Sequence, residues 1–263
     1  MDRGDHGRLT AVPSAGLPGA QGEDQVTEAP PVTLVCCGVI GTAICDNGMV
    51  ERAYSEAIAT QGVVTGTSAY ARSMAGVHRS RGQYTLDVMH SLFPENQPRA
   101  QAAQLAFDRS YGAAIGRTGV AAVPGAELAL DKLRGSGVRV CLISGFSKKV
   151  FASVLDALGW LDKIDLAVSP DETPRGAPAP DMVLTAMLRL GVDDVRETAV
   201  AMSTEAGVQA GRRAGAGVVA GVLTGTVPDG RLRRAGASHV LGSVADLPDL
   251  LTVTGPAEGL AGR

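Results

Sequence analysis

The stretch that most constrains this chain is Val32 to Thr42, VTLVCCGVIGT. A short apolar run ends in small residues and a Gly-Thr turn. Such a run is expected to be a buried strand that delivers a loop to the carboxyl edge of a parallel sheet, where open α/β sheets hold their ligands.

The rest of the chain supplies the partners such a strand needs. Val138 to Ile143, Ile164 to Val168, Thr198 to Met202, Val218 to Leu223 and His239 to Leu241 read as further strands, with helical stretches reaching Leu133, Leu158, Leu190 and Ala214. Pro178 and Pro180 are expected to start the helix that reaches Leu190, and Asn47 to cap one running from Met49 to Ala59. Strand–helix alternation of this kind implies a doubly wound parallel sheet. Residues 65–118 break it. Leu86, Val88, Met89 and Leu92, then Ala103, Leu105, Ala106 and Tyr111, recur at helical spacing, so an inserted helical domain is expected. The expected organisation is a tail over 1–31, an α/β core over 32–47 and 119–252, a helical cap over 48–118, and a flexible tail over 253–263. The first tail is rich in Gly, Pro and charge, which predicts disorder. It lacks the apolar centre of a secretion signal, and no run approaches membrane-spanning length.

Composition narrows the partners. The 263 residues are 45% hydrophobic and 19% charged, with a net charge of −3 and 3% aromatics. Neither a basic surface for nucleic acid or membrane nor a base-stacking platform is expected. The four cysteines, Cys36, Cys37, Cys45 and Cys141, show no zinc-ligand spacing and suit a reducing, cytoplasmic setting. Strand alternation turns Cys37 away from the face of Gly38. Cys45, past the turn, is the better-placed candidate nucleophile.

Several segments together resemble one family. VTLVCCGVIGT is similar to motif I of the haloacid dehalogenase (HAD) superfamily, in particular its phosphonatase-like hydrolases. VCLISGFSKKV from Val140 resembles motif II, SPDETPRGAPAPDMVLTAMLRLGV from Ser169 motif III, and AVAMSTEAGVQAGRRAGAGVVAGVLTG from Ala199 motif IV. RGQYTLDVMHSLF from Arg81 resembles the cap segment that ordinarily carries a lysine. The resemblance implies a HAD-like, Rossmannoid α/β fold with an inserted α-helical cap, and a pocket between core and cap.

In that family an Asp attacks phosphorus, a motif II hydroxyl and a motif III cation hold the phosphoryl oxygens, and motif IV acids hold Mg²⁺. The resemblance places Gly38 at the nucleophile, Ile40 two positions on, Ala177 at the motif III cation, Ser203 and Gly207 at the motif IV acids, and Thr85 at the cap lysine. Ser144 matches as the motif II hydroxyl. An aspartyl-phosphate cannot form without the Asp. Mg²⁺ takes carboxylate oxygens in near-octahedral geometry, and Ser203 and Gly207 offer none. Loss of the phosphate-facing cation alone costs on the order of 10³-fold in rate. The expectation is therefore a chain without cofactor, its Mg²⁺ lost and no metal bound.

Replacement groups are weighed among the neighbours. Asp46 follows the Gly-Thr turn and Glu205 follows motif IV, where a helix start explains it equally well. His90, on a cap helix, is a candidate acid or base. Catalytic candidates are thus Asp46, Cys45, His90 and Glu205. Gly38, Ile40, Arg81, Tyr84, Thr85, Ser144, Ala177, Ser203 and Gly207 are expected to bind a small molecule in the core–cap cleft, with a homodimer left open. Three functions follow: a metal-independent rearrangement, cyclisation or elimination in specialised metabolism; a pseudoenzyme that binds a ligand or protein and regulates; or a residual hydrolase with a non-standard nucleophile.

Overall fold

The computed structural model describes residues 30–254. The expectations for the two tails lie almost wholly outside these residues. The elements run β1 (Leu34–Gly38), β2 (Ile44–Cys45), α1 (Met49–Thr60), α2 (Ser68–Arg79), α3 (Thr85–Leu92), α4 (Gln97–Thr118), β3 (Ala121–Ala122), α5 (Ala126–Gly135), β4 (Arg139–Ile143), α6 (Lys148–Leu158) and β5 (Leu166–Val168). Then follow α7 (Asp181–Leu190), β6 (Thr198–Met202), α8 (Glu205–Ala214), β7 (Val218–Val222), α9 (Asp229–Ala235), β8 (His239–Leu241) and α10 (Leu247–Thr254).

Every residue of β1 is buried. Val35 and Cys37 enter one apolar core, Leu34 and Cys36 the other. A strand covered on both faces has no polar side to show, which explains its unbroken apolar run. Six strands form one parallel sheet in the order β5-β4-β1-β6-β7-β8. Chain order reverses around β1, so the crevice at its carboxyl end is the switch point of a doubly wound α/β sheet.

Helices α1 to α4 lie in the chain between β2 and β3. Those two strands pair antiparallel, Ile44 with Ala122 and Cys45 with Ala121. The helical block meets the sheet through an aromatic cluster. Tyr54 of α1 packs on Phe107 of α4 at 4.7 Å between ring centroids, and Tyr111 packs on Phe146, in the loop after β4, at 4.7 Å. Tilted rings at this spacing gain more than their buried area alone provides.

Several local expectations are corrected. Asn47 does not cap α1: it takes a left-handed backbone, φ 50°, and Gly48 occupies the cap position. Asp46 serves instead, its Oδ1 accepting the Val50 N–H at 2.9 Å. Pro178 lies outside α7, which begins after Pro180. Leu105 is 59% exposed, while Ala103, Ala106 and Tyr111 of the same helix are buried. Among the described residues no helix is long and apolar enough to cross a membrane.

Candidate active site

A cavity of about 520 Å³ opens at the carboxyl ends of β1, β4 and β6, beneath α1 and the loop joining α2 to α3. That volume is in the range of sites for small organic molecules. Gly38, Ile40, Cys45, Asp46, Arg81, Thr85, Ser144, Ala177, Ser203 and Gly207 all line it.

Its floor is built around Met202, a residue the sequence reading passed over. A Cβ on Gly38 would lie 2.9 Å from Met202 Sδ, and one on Gly207 would lie 2.8 Å from its Cγ and 2.9 Å from its Cβ. The two glycines therefore make the room that the methionine fills. Ile40, Ile143 and Ala177 extend the apolar surface.

The hydroxyls nearest the floor are committed. The Ser203 N–H donates to Thr42 Oγ1 at 3.0 Å, and Ser203 Oγ donates to the Ile40 carbonyl at 3.0 Å. Ser144 Oγ accepts the Phe146 N–H at 3.1 Å. Thr85 is different. It is buried, its N–H donates to the Gly145 carbonyl at 3.0 Å, and its Oγ1 has no partner.

The loop from Ser80 to Tyr84 rests directly on the core. Gly82 has φ +83° and approaches Thr204 so closely that a Cβ would overlap its hydroxyl, while a Cβ on Gly145 would lie 2.5 Å from the Gln83 carbonyl oxygen. A side chain at either position would push the loop off the sheet. Arg81 reaches across this contact and donates from Nη1 to Thr226 Oγ1.

The carboxylates of the cavity wall are Asp46 and Glu51. Burial pushes the Asp46 carboxyl above its ordinary range, against the opposing pull of the Val50 and Gly48 N–H groups. Glu51 faces His78 Nε2 at 3.5 Å and Arg81 Nη2 at 3.8 Å. Half-buried Cys45 sends Sγ toward the Ala122 carbonyl at 3.9 Å. Cys37 is fully buried in the core, and burial raises its thiol far above the ordinary range.

Three predicted site residues lie elsewhere. Tyr84 is outside the cavity wall. Its hydroxyl donates to Asp171, whose other oxygen accepts the Lys148 N–H at 2.6 Å. His90 stands in the last turn of α3, outside the wall, with Nε2 buried and unpartnered. The histidine in the wall is His78, on α2. Glu205 faces a separate pocket of about 170 Å³ and accepts Arg231 Nε–H at 2.9 Å. The other charges near the motifs are also paired, Arg175 with Asp181 at 2.8 Å and Glu172 with Arg189 at 3.0 Å.

A family model described as haloacid dehalogenase-like hydrolase matches residues 39–215. The phosphonoacetaldehyde hydrolase of Pseudomonas putida is 37% identical over 89 residues, 34% of this chain and 32% of that protein. That of Bordetella avium is 35% identical over 88 residues, 33% and 31%. The chain thus spans about a third of the length of the curated relatives it matches. Among solved structures, a phosphonoacetaldehyde hydrolase-like protein from Oleispira antarctica superposes with a TM-score of 0.74 at 21% identity, over 86% of this chain and 93% of that one. A hydrolase from Pseudomonas syringae gives 0.73 at 24%, over 85% and 100%. At these identities the superpositions establish the fold.

The matches correct one expectation. Hydrolases of this kind, phosphonatases included, normally use Mg²⁺, so the expectation of a chain without cofactor does not stand; the matches give no ground for its loss. The side chains at the strand ends do not themselves compose a cage for that ion. Ser203 and Thr42 spend their hydroxyls on each other's loops. Among the described residues no three or more His, Cys, Asp or Glu gather to hold a metal. The family model covers well over half of the 263 residues, and this protein accordingly belongs to the haloacid dehalogenase-like hydrolase family.

Proposed function

We propose that the cavity holds an uncharged organic body and that the protein moves protons on it, as in a rearrangement, cyclisation or elimination, rather than passing a phosphoryl group to an aspartate. The observation that supports this reading is the seat of Met202 between Gly38 and Gly207. By the motif resemblance those glycines stand where relatives carry the nucleophile and a metal-side acid. A thioether and methylenes in that space favour apolar contact over a doubly charged phosphate. The helical block then acts as the cap, and the setting we propose is specialised metabolism.

Proton transfer needs a group that gains and loses a proton near the working pH. Asp46 lines the cavity, and its carboxyl is shifted upward toward that range by burial. His78, in the same wall and faced by Glu51 at 3.5 Å, is the second candidate by position. In a rearrangement one of them takes a proton from the ligand and returns it at another atom, leaving the ligand's composition unchanged.

A second reading is a binding protein that uses the same cavity without turnover. A residual hydrolase would rely on Asp46 or Cys45 as nucleophile. Purified protein supplied with Mg²⁺, phosphonoacetaldehyde and p-nitrophenyl phosphate separates these. No phosphate release is expected, and robust release would overturn the proposal. Ligands found by thermal-shift screening of neutral terpenoid and polyketide compounds are expected to return altered from incubation; unaltered return favours the binding reading. Stabilisation that vanishes in Ile40→Asp places the ligand on the apolar floor.

A further inference from the structure

The cavity and the smaller pocket beside it share wall residues: His78, Arg81, Gln83 and Thr226 line both. The inner space is floored by Met202, Ile40 and Ala177. The outer one is faced by Arg79, Arg81 and Arg231 with Glu205 as its acid. An apolar space and a cationic one therefore lie side by side, with Arg81 in the wall of both.

The three arginines differ in what they have left to offer. Arg231 is bound to Glu205 through two nitrogens. Arg79 has no carboxylate partner among the described residues. Arg81 faces Glu51 at 3.8 Å, longer than a hydrogen bond, and spends one nitrogen on Thr226. Free guanidinium donors remain on Arg79 and Arg81, and a guanidinium fork fits a carboxylate or phosphate. Gln83 adds a neutral donor to the same wall.

We propose that the outer pocket is an anion subsite, so that the ligand is an amphiphile: a neutral body in the inner cavity and one terminal oxyanion held by Arg79 and Arg81. The charged group lies at the mouth and the neutral body on the floor. This rests on the inner cavity being the ligand site argued above.

Octanoate, octyl phosphate and octan-1-ol share a chain and differ in head group. Calorimetric titration of the full chain with each, at low ionic strength and below micelle formation, tests the proposal. Both anions are expected to bind at least about tenfold tighter than the alcohol, the advantage shrinking as salt is added. Arg79→Gln, at an exposed position that lines the outer pocket and not the inner cavity, is expected to cut the preference severalfold and leave octanol affinity unchanged. A preference between octanoate and octyl phosphate supports the proposal and names the oxyanion. Equal affinity for all three in the wild type, or a preference that Arg79→Gln leaves intact, overturns the anion subsite and leaves the inner cavity standing. Binding of none of the three overturns the inner-cavity reading and this one with it.

Discussion

Met202 Sδ occupies the place beside Gly38 that a side chain there would need, 2.9 Å from where its Cβ would sit. The same methionine presses on Gly207 through Cγ, Cβ and Sδ together, the first two close to its own backbone. The end of a methionine can swing aside; its Cβ cannot.

Gly207→Ala is therefore expected to cost more than Gly38→Ala. Overpacking of this kind costs about 1–3 kcal/mol, offset at Gly207 by the ~0.5–1 kcal/mol that alanine gains over glycine in a helix. The sharper measurement is a double-mutant cycle by urea unfolding. Gly207→Ala with Met202→Ala is expected to cost less than the sum of the two singles by about 0.5–3 kcal/mol. Additive costs would show that the two residues do not press on each other.

Thr85→Val tests the unpartnered hydroxyl. Replacing it with a methyl of the same shape removes a group that pays desolvation without a bond. The free protein is expected to stay as stable or gain up to about 1 kcal/mol in thermal unfolding. A clear loss of stability would mean that the hydroxyl has a structural partner.

Asp46 sets a pH dependence. Its folded-state carboxyl is raised above the ordinary value by burial, so the fold holds the proton more tightly than the unfolded chain does. The contribution to stability is full below the ordinary carboxylate range and is lost as pH rises through the raised folded value. Asp46→Asn keeps an oxygen to accept the Val50 N–H and removes the charge. The variant is expected to match the wild type at low pH and exceed it near neutrality. A denaturation series across pH that shows the opposite order would rule out burial as the dominant influence on Asp46.

The thiols differ in accessibility. Cys36, Cys37 and Cys141 are buried and Cys45 is half-buried. A disulfide-exchange reagent is expected to label Cys45 alone in the native protein and all four cysteines in denaturant. Cys45→Ser should abolish the native signal; native labelling that persists would show that the sheet opens.

The sheet was legible in the sequence because β1, β4, β6 and β7 are buried almost throughout, and such strands announce themselves as apolar runs. Most of the cavity wall followed from it, since strand ends in a parallel sheet converge. The failures are of another kind. β2 and β3 are two residues each and pair across 76 and 78 positions, leaving no local pattern. His78 and His90 both stand on helices of the inserted block, and only the angle at which α2 and α3 meet the core decides which enters the wall. Tyr84 turns to Asp171 and Glu205 to Arg231, partners 87 and 26 residues away. Asp46 displaced Asn47 as the cap: the backbone at Asn47 is left-handed, and the Val50 N–H goes to Asp46 Oδ1. Met202 was missed because a methionine ending an apolar strand looks like core; only the glycines beside it reveal a fitted neighbour.

The paired strands β2 and β3 carry a consequence of their own. The chain leaves the sheet layer at Ile44–Cys45 and comes back at Ala121–Ala122, directly opposite, so departure and return are one strand spacing apart, about 4.8 Å. None of the six-stranded registers passes through that doorway. Whatever is threaded between can lengthen, shrink or be exchanged like a cassette while strand order holds. Selectivity at the entrance and reactivity at the base are thereby free to evolve on separate schedules.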